Sequence, residues 1–342
     1  MERTVRGVRE RAAKDWGELD RWPSVTVVVP TMGERADVLE DTLRGIAAQD
    51  YPGTLECIIV LDRRSPDAET GTSDNATDRK AAASEATRTV ADAWGCRLID
   101  NTRTPGLAGT RNSGILAGTG ELVAFCDDDD RWLPGKLQAQ VPALAAAPGA
   151  PLVCCGITLE YGDTVVERVH PGTVVTFREF LRSRLMAMHV STFLARRAAL
   201  LDGVGLVSEE LPGSRAEDYE LLLRATRHAP VVNVPKPLVH VMWHTQRRAM
   251  YGRWPIVAQA LPWLLDRYPE FQSEPAGYAR IAGQISFAAA ASGNRAMAWR
   301  WVWRTIRARP LEPRPYIALG VMSGVVSPDQ VIRWLHRRGR GL

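Results

Sequence analysis

A chain of 342 residues, 45% hydrophobic and 24% charged, carries enough apolar material for a sizeable core and for about two domains. That balance speaks against a disordered or fibrous chain, and the formal net charge is only +4. Five cysteines (Cys57, Cys96, Cys126, Cys154 and Cys155) make an odd count without Cys-x-x-Cys spacing, which argues against a disulfide framework or a zinc site.

Residues 1–22 read as a polar helical arm with no apolar signal core. At Val25 the run VTVVVP begins, a β-branched stretch stopped by Pro30 in the pattern of a buried parallel strand. Helical spacing follows over 36–49, and then a second apolar strand, ECIIVLD (56–62), ends in an acid. The alternation continues with a helix over 77–94, a strand at 96–99, a helix from Leu107 to Leu116 and a strand, ELVAFC, at 121–126. The next helix starts near Pro134, a residue suited to a first turn. Such alternation predicts a three-layer α/β domain on a largely parallel sheet. Ligands of these sheets bind beyond the carboxyl ends of the strands, where Pro30, Asp62 and Asp127 fall.

After Pro151 the pattern is mixed. Strand-like runs at 152–159 and 164–169 flank a turn at Gly162–Asp163, and Thr176 with Glu179 makes a capping-box pair for a short helix. A helix over about 215–228 and strands at 231–234 and 238–243 close this part. Beyond residue 250 the chain is helical and rich in Trp, Ala and Arg. The expected division is an arm (1–22), an α/β domain (23–250) and a C-terminal helical region (251–342).

That last region is basic: ten arginines from Arg295 to Arg340 face only Glu312 and Asp329. Mixed with Trp254, Trp263, Trp299, Trp301, Trp303 and Trp334, they suit a membrane interface or a lipid-linked acceptor. The plain alternative is that these tryptophans pack helices together. The apolar stretch Tyr316 to Val326 is shorter than the roughly 20 residues a bilayer span needs, so a cytoplasmic or peripheral inner-face location is expected. No nucleic-acid recognition motif accompanies the aromatic–basic mix, and no nucleic acid is expected as partner.

The most informative run is FCDDDDRW, residues 125–132. Two unit charges about 4 Å apart repel by roughly 1 kcal/mol in water and about 4 at an intermediate dielectric. A hard divalent cation, Mg2+ or Mn2+, would neutralise such a cluster through oxygen ligands. A solvated acidic turn is the alternative, and the position at a sheet's carboxyl edge speaks against it.

With these residues the chain resembles the family-2 glycosyltransferases, which have the GT-A fold. The motifs are VVVPT, ECIIVLDRRSPD, GTRNSGILAGTGELVAFCDDDDRWLPGKL, RAEDYELLLR and PKPLVHVMWH, spread over roughly residues 24–250. The resemblance implies an inverting, metal-dependent transfer of a sugar from a nucleotide-diphosphate donor to an acceptor hydroxyl. It implies Asp127, Asp129 and His244 at an Mg2+ or Mn2+ ion. Pro30, Thr31, Asp62, Arg111 and Asp128 fall at the nucleotide sugar, and Asp218 as the catalytic base. Locally, Ser214 and Glu217 also have capping-box spacing, which would make Asp218 a first-turn acid favoured by the helix dipole. His189 and His240 read as structural.

The chain departs from the family at three places. Arg63 stands where a second acid often helps read the base, Pro-Thr-Met-Gly replaces Pro-Thr-Tyr-Asn, and Met242 replaces an arginine before the late histidine. Donor identity therefore does not carry over. The acceptor stays open between a lipid-linked sugar, a polysaccharide end and a small metabolite. Two other readings are a sugar-phosphate nucleotidyltransferase, which would need a glycine-rich basic loop after the first strand, and a non-catalytic nucleotide-binding relative.

Overall fold

The computed structural model describes residues 21–62, 74–161, 164–242 and 254–336. The chain divides into two compact units. One holds the residues up to Phe177 with Leu185–Glu209 and Glu217–Thr245; the other holds Arg178–Arg184, Glu210–Ala216 and Gln246–Leu342.

The first unit is built on a mixed sheet of ten strands: β1 (Val25–Thr31), β2 (Leu55–Leu61), β3 (Arg97–Asp100), β4 (Leu122–Phe125), β5 (Arg131–Trp132), β6 (Leu152–Tyr161), β7 (Thr164–Arg168), β8 (Val174–Val175), β9 (Leu194–Arg196) and β10 (Val231–Met242). Their order is β3-β2-β1-β4-β9-β6-β10-β5, with β7 beside β6 and β8 beside β10. Strands β1 to β4 pair parallel, as does β10 with β6, whereas β9 runs antiparallel between β4 and β6.

Helices cover both faces because β1 is apolar on both. Val25, Val27 and Val29 face a core shared with α1 (Ala36–Ala47), α2 (Asp74–Ala93) and α4 (Lys136–Ala145). Val28 points the other way, against α3 (Leu107–Ala117), where a Cβ on Gly114 would stand 2.3 Å from Val28 Cγ1. Every residue of β1 is accordingly buried. This is the three-layer α/β arrangement that the continuous apolar strands predict.

Three details differ from the expectation. Helix α4 begins at Lys136, because Gly135 takes a left-handed φ of 76°, and Pro134 therefore precedes the helix. The two runs expected near 231–234 and 238–243 are one strand, whose register on β6 shifts on either side of Pro237. Shifts of this kind accommodate prolines that cannot donate to a ladder. Strand β9, only three residues long, has no counterpart in the sequence reading. The turn at Gly162–Asp163 lies outside the described residues. The short helix α5 (Phe177–Arg182) starts directly after Thr176 and falls, from Arg178 on, in the second unit, while α6 (Glu217–His228) belongs to the first and leads into β10.

The second unit is helical: α7 (Trp254–Arg267), α8 (Pro275–Ala291), α9 (Arg295–Ala308), α10 (Arg314–Met322) and α11 (Pro328–His336). Helix α8 is alanine-rich and buried along most of its length. It packs with α9, α10 and α11 through Phe287, Ala289, Ala298, Val302, Ala318, Met322, Val331 and Ile332. Asn294 caps α9 by accepting from the Met297 N–H (3.1 Å). Among the described residues no helix is long and apolar enough to cross a membrane.

Candidate active site

The carboxyl ends of β1, β2 and β4 lie side by side. Thr31 is opposite Leu61, the Asp62 N–H donates to the Thr31 carbonyl (2.9 Å), and the Cys126 N–H donates to the Val28 carbonyl (3.1 Å). Parallel pairing thus delivers Pro30, Thr31, Asp62 and the acidic run to one edge.

The four aspartates form a turn, with the Asp130 N–H donating to the Asp127 carbonyl (3.1 Å), and the turn sorts their side chains. Asp128 accepts from Thr31 Oγ1 (2.7 Å) and from Arg35 Nη2 (2.8 Å). Asp129 accepts from Arg35 Nη1 (3.4 Å). Asp127 accepts from Arg111 Nη2 (2.8 Å). Asp130 turns inward, where it accepts from Ser191 Oγ (2.5 Å) and lies 3.2 Å from His189 Nδ1. Ser191 Oγ in turn accepts from the Asp127 N–H (3.0 Å), which ties both ends of the turn to one hydroxyl.

Burial works against a charged His189. The charge and hydrogen bond of Asp130, then the charges of Asp127 and Asp218, outweigh it and push the imidazole pKa up to about 9. Asp127, Asp130 and His189 each offer one ligand atom, all within 4.8 Å of one another. Two carboxylate oxygens suit Mg2+ or Mn2+, and the imidazole can join them in its neutral form. The residues present therefore fit a divalent ion. His189, assigned to packing on sequence grounds, stands in this group, while Asp129 is turned to Arg35. His244 and Arg63 lie outside the described residues.

A second set of carboxylates joins from α6. Arg111, on α3 and 1% exposed, places Nη1 on Glu217 and Nη2 on Asp127. Its guanidinium is held more firmly charged: burial opposes this, but Asp127 and Glu217 overcome it. Burial pushes Glu217 up against the pull of Arg111. An arginine so enclosed bridges two carboxylates that belong to different elements. Helix α6 starts at Glu217, and Ser214 falls in the turn just before it, Pro212–Ser214. Ser214 (φ 48°) and Ala216 (φ 71°) are left-handed just before Glu217. Strain of about 1–3 kcal/mol at such residues gathers where geometry is constrained. Asp218 is half-buried, accepts from the Tyr219 N–H (2.8 Å) and bears electrostatically on His189.

Asp62 closes the other side. Its Oδ2 accepts from the Gly106 N–H (2.6 Å) and from Thr110 Oγ1 (3.4 Å), so it secures the entry to α3. Asn112 holds Val207 through both its N–H and its carbonyl (2.9 and 2.8 Å). Glu209 accepts from Arg103, from Thr104 N–H and Oγ1 (3.2 and 2.6 Å) and from Asn112 Nδ2 (2.6 Å). Sequence reasoning missed Arg35, Ser191 and Glu209 and read His189 as structural; of these, Glu209 alone is tied to the GTRN element, through Asn112 (2.6 Å). His240 pairs with Glu160 at 2.9 Å, apart from these carboxylates.

Comparison with known proteins bears on the family and the fold. A curated "Uncharacterized glycosyltransferase" of Haemophilus influenzae is 22% identical over 177 residues, 50% of this chain and 58% of that protein. Glycosyltransferase AglE of Haloferax volcanii is 26% identical over 186 residues, 54% of this chain and 55% of that protein. The chain thus spans little more than half the length of these relatives. Among solved structures, S. aureus TarS 1–349 in complex with UDP-GlcNAc has a TM-score of 0.55 at 19% identity, covering 93% of this chain and 92% of that one. The mannosyltransferase PcManGT of Pyrobaculum calidifontis, in complex with GDP-Man and Mn2+, has a TM-score of 0.52 at 18% identity, covering 96% and 89%. Both share the GT-A fold with this chain. The model for "Glycosyl transferase family 2" matches residues 26–202, just over half of the sequence, and the chain belongs to that family.

Proposed function

We propose that this chain is an inverting, divalent-metal-dependent glycosyltransferase that moves a sugar from a nucleoside-diphosphate donor to an acceptor hydroxyl. One observation carries the reading. Arg111 ties the acidic turn at the sheet edge to the Glu217–Asp218 pair, so groups suited to a diphosphate and a group suited to a base are organised together.

In this reading Asp218 removes the proton of the acceptor hydroxyl as its oxygen attacks the anomeric carbon. The bond to the diphosphate breaks, and its electron pair leaves with the nucleotide. Asp127, with Asp130 and His189 or with Asp129 and His244, would hold the cation. When bound, that ion supplies charge neutralisation on the departing diphosphate. Thr31 and Arg35 fix Asp128 toward the donor, while Pro30 and Asp62 border it and Arg111 supports it from below. One neighbour of this fold binds a uridine nucleotide and another a guanosine nucleotide, so the base stays open. We place the enzyme in the cytoplasm, peripherally on the inner membrane face through its basic C-terminal region. The acceptor would be lipid-linked, a polysaccharide end or a small molecule, with no nucleic-acid partner.

The test is a panel of nucleotide sugars scored for thermal stabilisation with and without Mn2+, followed by turnover of the binder. A donor at about 100 times its Kd stabilises by roughly 2.7 kcal/mol. Asp218→Asn should keep that stabilisation and lose about 10²–10⁴ in kcat. Full turnover by Asp218→Asn removes the assigned base; stabilisation unaffected by chelation removes the metal.

A further inference from the structure

Helix α9 carries more aromatic and cationic surface than its packing uses. Its buried positions are Ala298, Trp301, Val302 and Thr305, which recur at helical spacing and seat it in the helical unit. The positions left outside place Trp299 (46% exposed) and Trp303 (56% exposed) four residues apart, so the two indoles neighbour one another on one face. Arg300, Arg304 and Arg307 flank them and are also exposed, and just beyond the helix Leu311 is 89% exposed.

No acidic residue occurs from Arg295 to Leu311. Among the described residues no carboxylate pairs with Arg300, Arg304 or Arg307; Arg304 instead lies over the ring of Trp301, 4.7 Å from its centroid. The face is therefore uncompensated positive charge around two indoles. A solvated arginine face alone would need no partner, but adjacent exposed indoles leave apolar area in water at about 25 cal/mol per Å2. An anionic bilayer surface answers both features at once. Indoles sit at headgroup depth with their N–H wet, while arginine stems lie along the acyl boundary and their heads meet phosphate. A nucleic acid would satisfy the charge and could stack its bases on the indoles, but it would leave Leu311, 89% exposed just beyond the helix, in water, whereas an acyl boundary takes it up.

We propose that the exposed face of α9, formed by Trp299 and Trp303 with Arg300, Arg304 and Arg307, docks on an anionic phospholipid surface. The helix lies in the plane of the interface and does not span it. This docking rests on the peripheral-membrane part of the proposed function and is independent of the chemistry of transfer.

The full chain is mixed with phosphatidylcholine vesicles containing about a third phosphatidylglycerol, or with pure phosphatidylcholine vesicles, and bound protein is read by flotation. Flotation is expected with the anionic vesicles alone and weakens as salt shortens the Debye length, about 10 Å at 0.1 M. Arg300→Gln with Arg307→Gln should lower the partition coefficient about thirtyfold, at about 1 kcal/mol for each arginine. Trp299→Ala with Trp303→Ala should abolish flotation. Because all four side chains are exposed, both variants keep the helical circular-dichroism signal and Tm.

Wild-type protein that floats with neither vesicle overturns this docking and the peripheral reading together. Anionic flotation that survives in both double variants removes α9 as the surface and leaves the peripheral reading intact. Equal flotation with pure phosphatidylcholine removes the anionic partner. An oligonucleotide that competes the protein off the vesicles, or a self-associated species that the tryptophan changes dissolve, gives the face to another partner and overturns the proposal.

Discussion

Arg111 holds a carboxylate of the acidic turn with one nitrogen and a carboxylate of α6 with another, at 1% exposure. Breaking a buried ion pair by removing one partner typically costs about 3–5 kcal/mol, because the other charge stays behind uncompensated. Arg111→Met should therefore lower unfolding stability by about that amount in urea titrations. Adding Glu217→Gln should recover part of the loss, and a loss equal to the sum of the single changes would show that the three groups act separately. The acidic turn offers a second residue-scale test, since its geometry distinguishes two cation ligand sets. If Asp127, Asp130 and His189 hold the ion, His189→Ala weakens Mn2+ binding by tenfold or more in electron paramagnetic resonance titrations, and Asp129→Asn leaves it nearly unchanged. The reverse pattern would return Asp129 to the metal. The four aspartates were legible in the sequence because they are consecutive and follow an apolar strand. Their sorting was not: Ser191 reaches Asp130 across 61 positions and Arg35 reaches Asp128 across 93, so only the folded sheet edge brings them together.

Among the elements, those that read clearly are the ones whose local signals agree with their place in the fold. Strands β1, β2 and β4 are continuous apolar runs because they are covered on both faces, and α1 shows its buried stripe at Leu39, Leu43 and Ile46. Strands β5, β8 and β9, of two, two and three residues, are too short to carry a period, so tertiary pairing alone creates them. Helix α3 shows a third case, since its helical spacing is legible but its closeness to β1 is not. At Gly114 an added Cβ would meet Val28 Cγ1 at 2.3 Å, and at Gly109 the Thr104 carbonyl oxygen at 2.0 Å. Alanine would gain up to about 1 kcal/mol in helix propensity at either position. Overpacking typically costs about 1–3 kcal/mol, and contacts this short belong at the upper end. Gly114→Ala should accordingly destabilise, by about 1–2 kcal/mol net in chemical denaturation, and should displace the end of β1 that carries Thr31. A stabilised variant would mean that α3 can move away from the sheet.

At the scale of the whole molecule, three carboxylates of the α/β unit have depressed pKa values: Glu56, Glu121 and Glu209. Glu209 shows the physics best. Burial opposes its charge, yet hydrogen bonds from Thr104, Arg103 and Asn112 lower its pKa from 4.5 to about 2. A depressed carboxyl binds fewer protons folded than unfolded, so its stabilisation is fully present above about 4.5 and drains away as pH falls toward 2. Glu56 acts in the same direction through Thr119, Thr26 and Arg97, again against burial. The α/β unit should therefore lose thermal stability steadily as pH drops below about 4.5, with the Glu209 network among the causes. Glu209→Gln should be less stable than the parent near neutral pH, where the charge-assisted bonds to Arg103 and Thr104 are missing. Its Tm should also fall less steeply in acid, because one proton-linked group has been removed. Scanning calorimetry of both proteins across the acidic range decides the matter: the two Tm curves should converge as pH approaches 2. Parallel curves would mean that the carboxylate at position 209 carries the same protons in the folded and unfolded chain, and that its four hydrogen bonds stabilise the loop without linkage to pH.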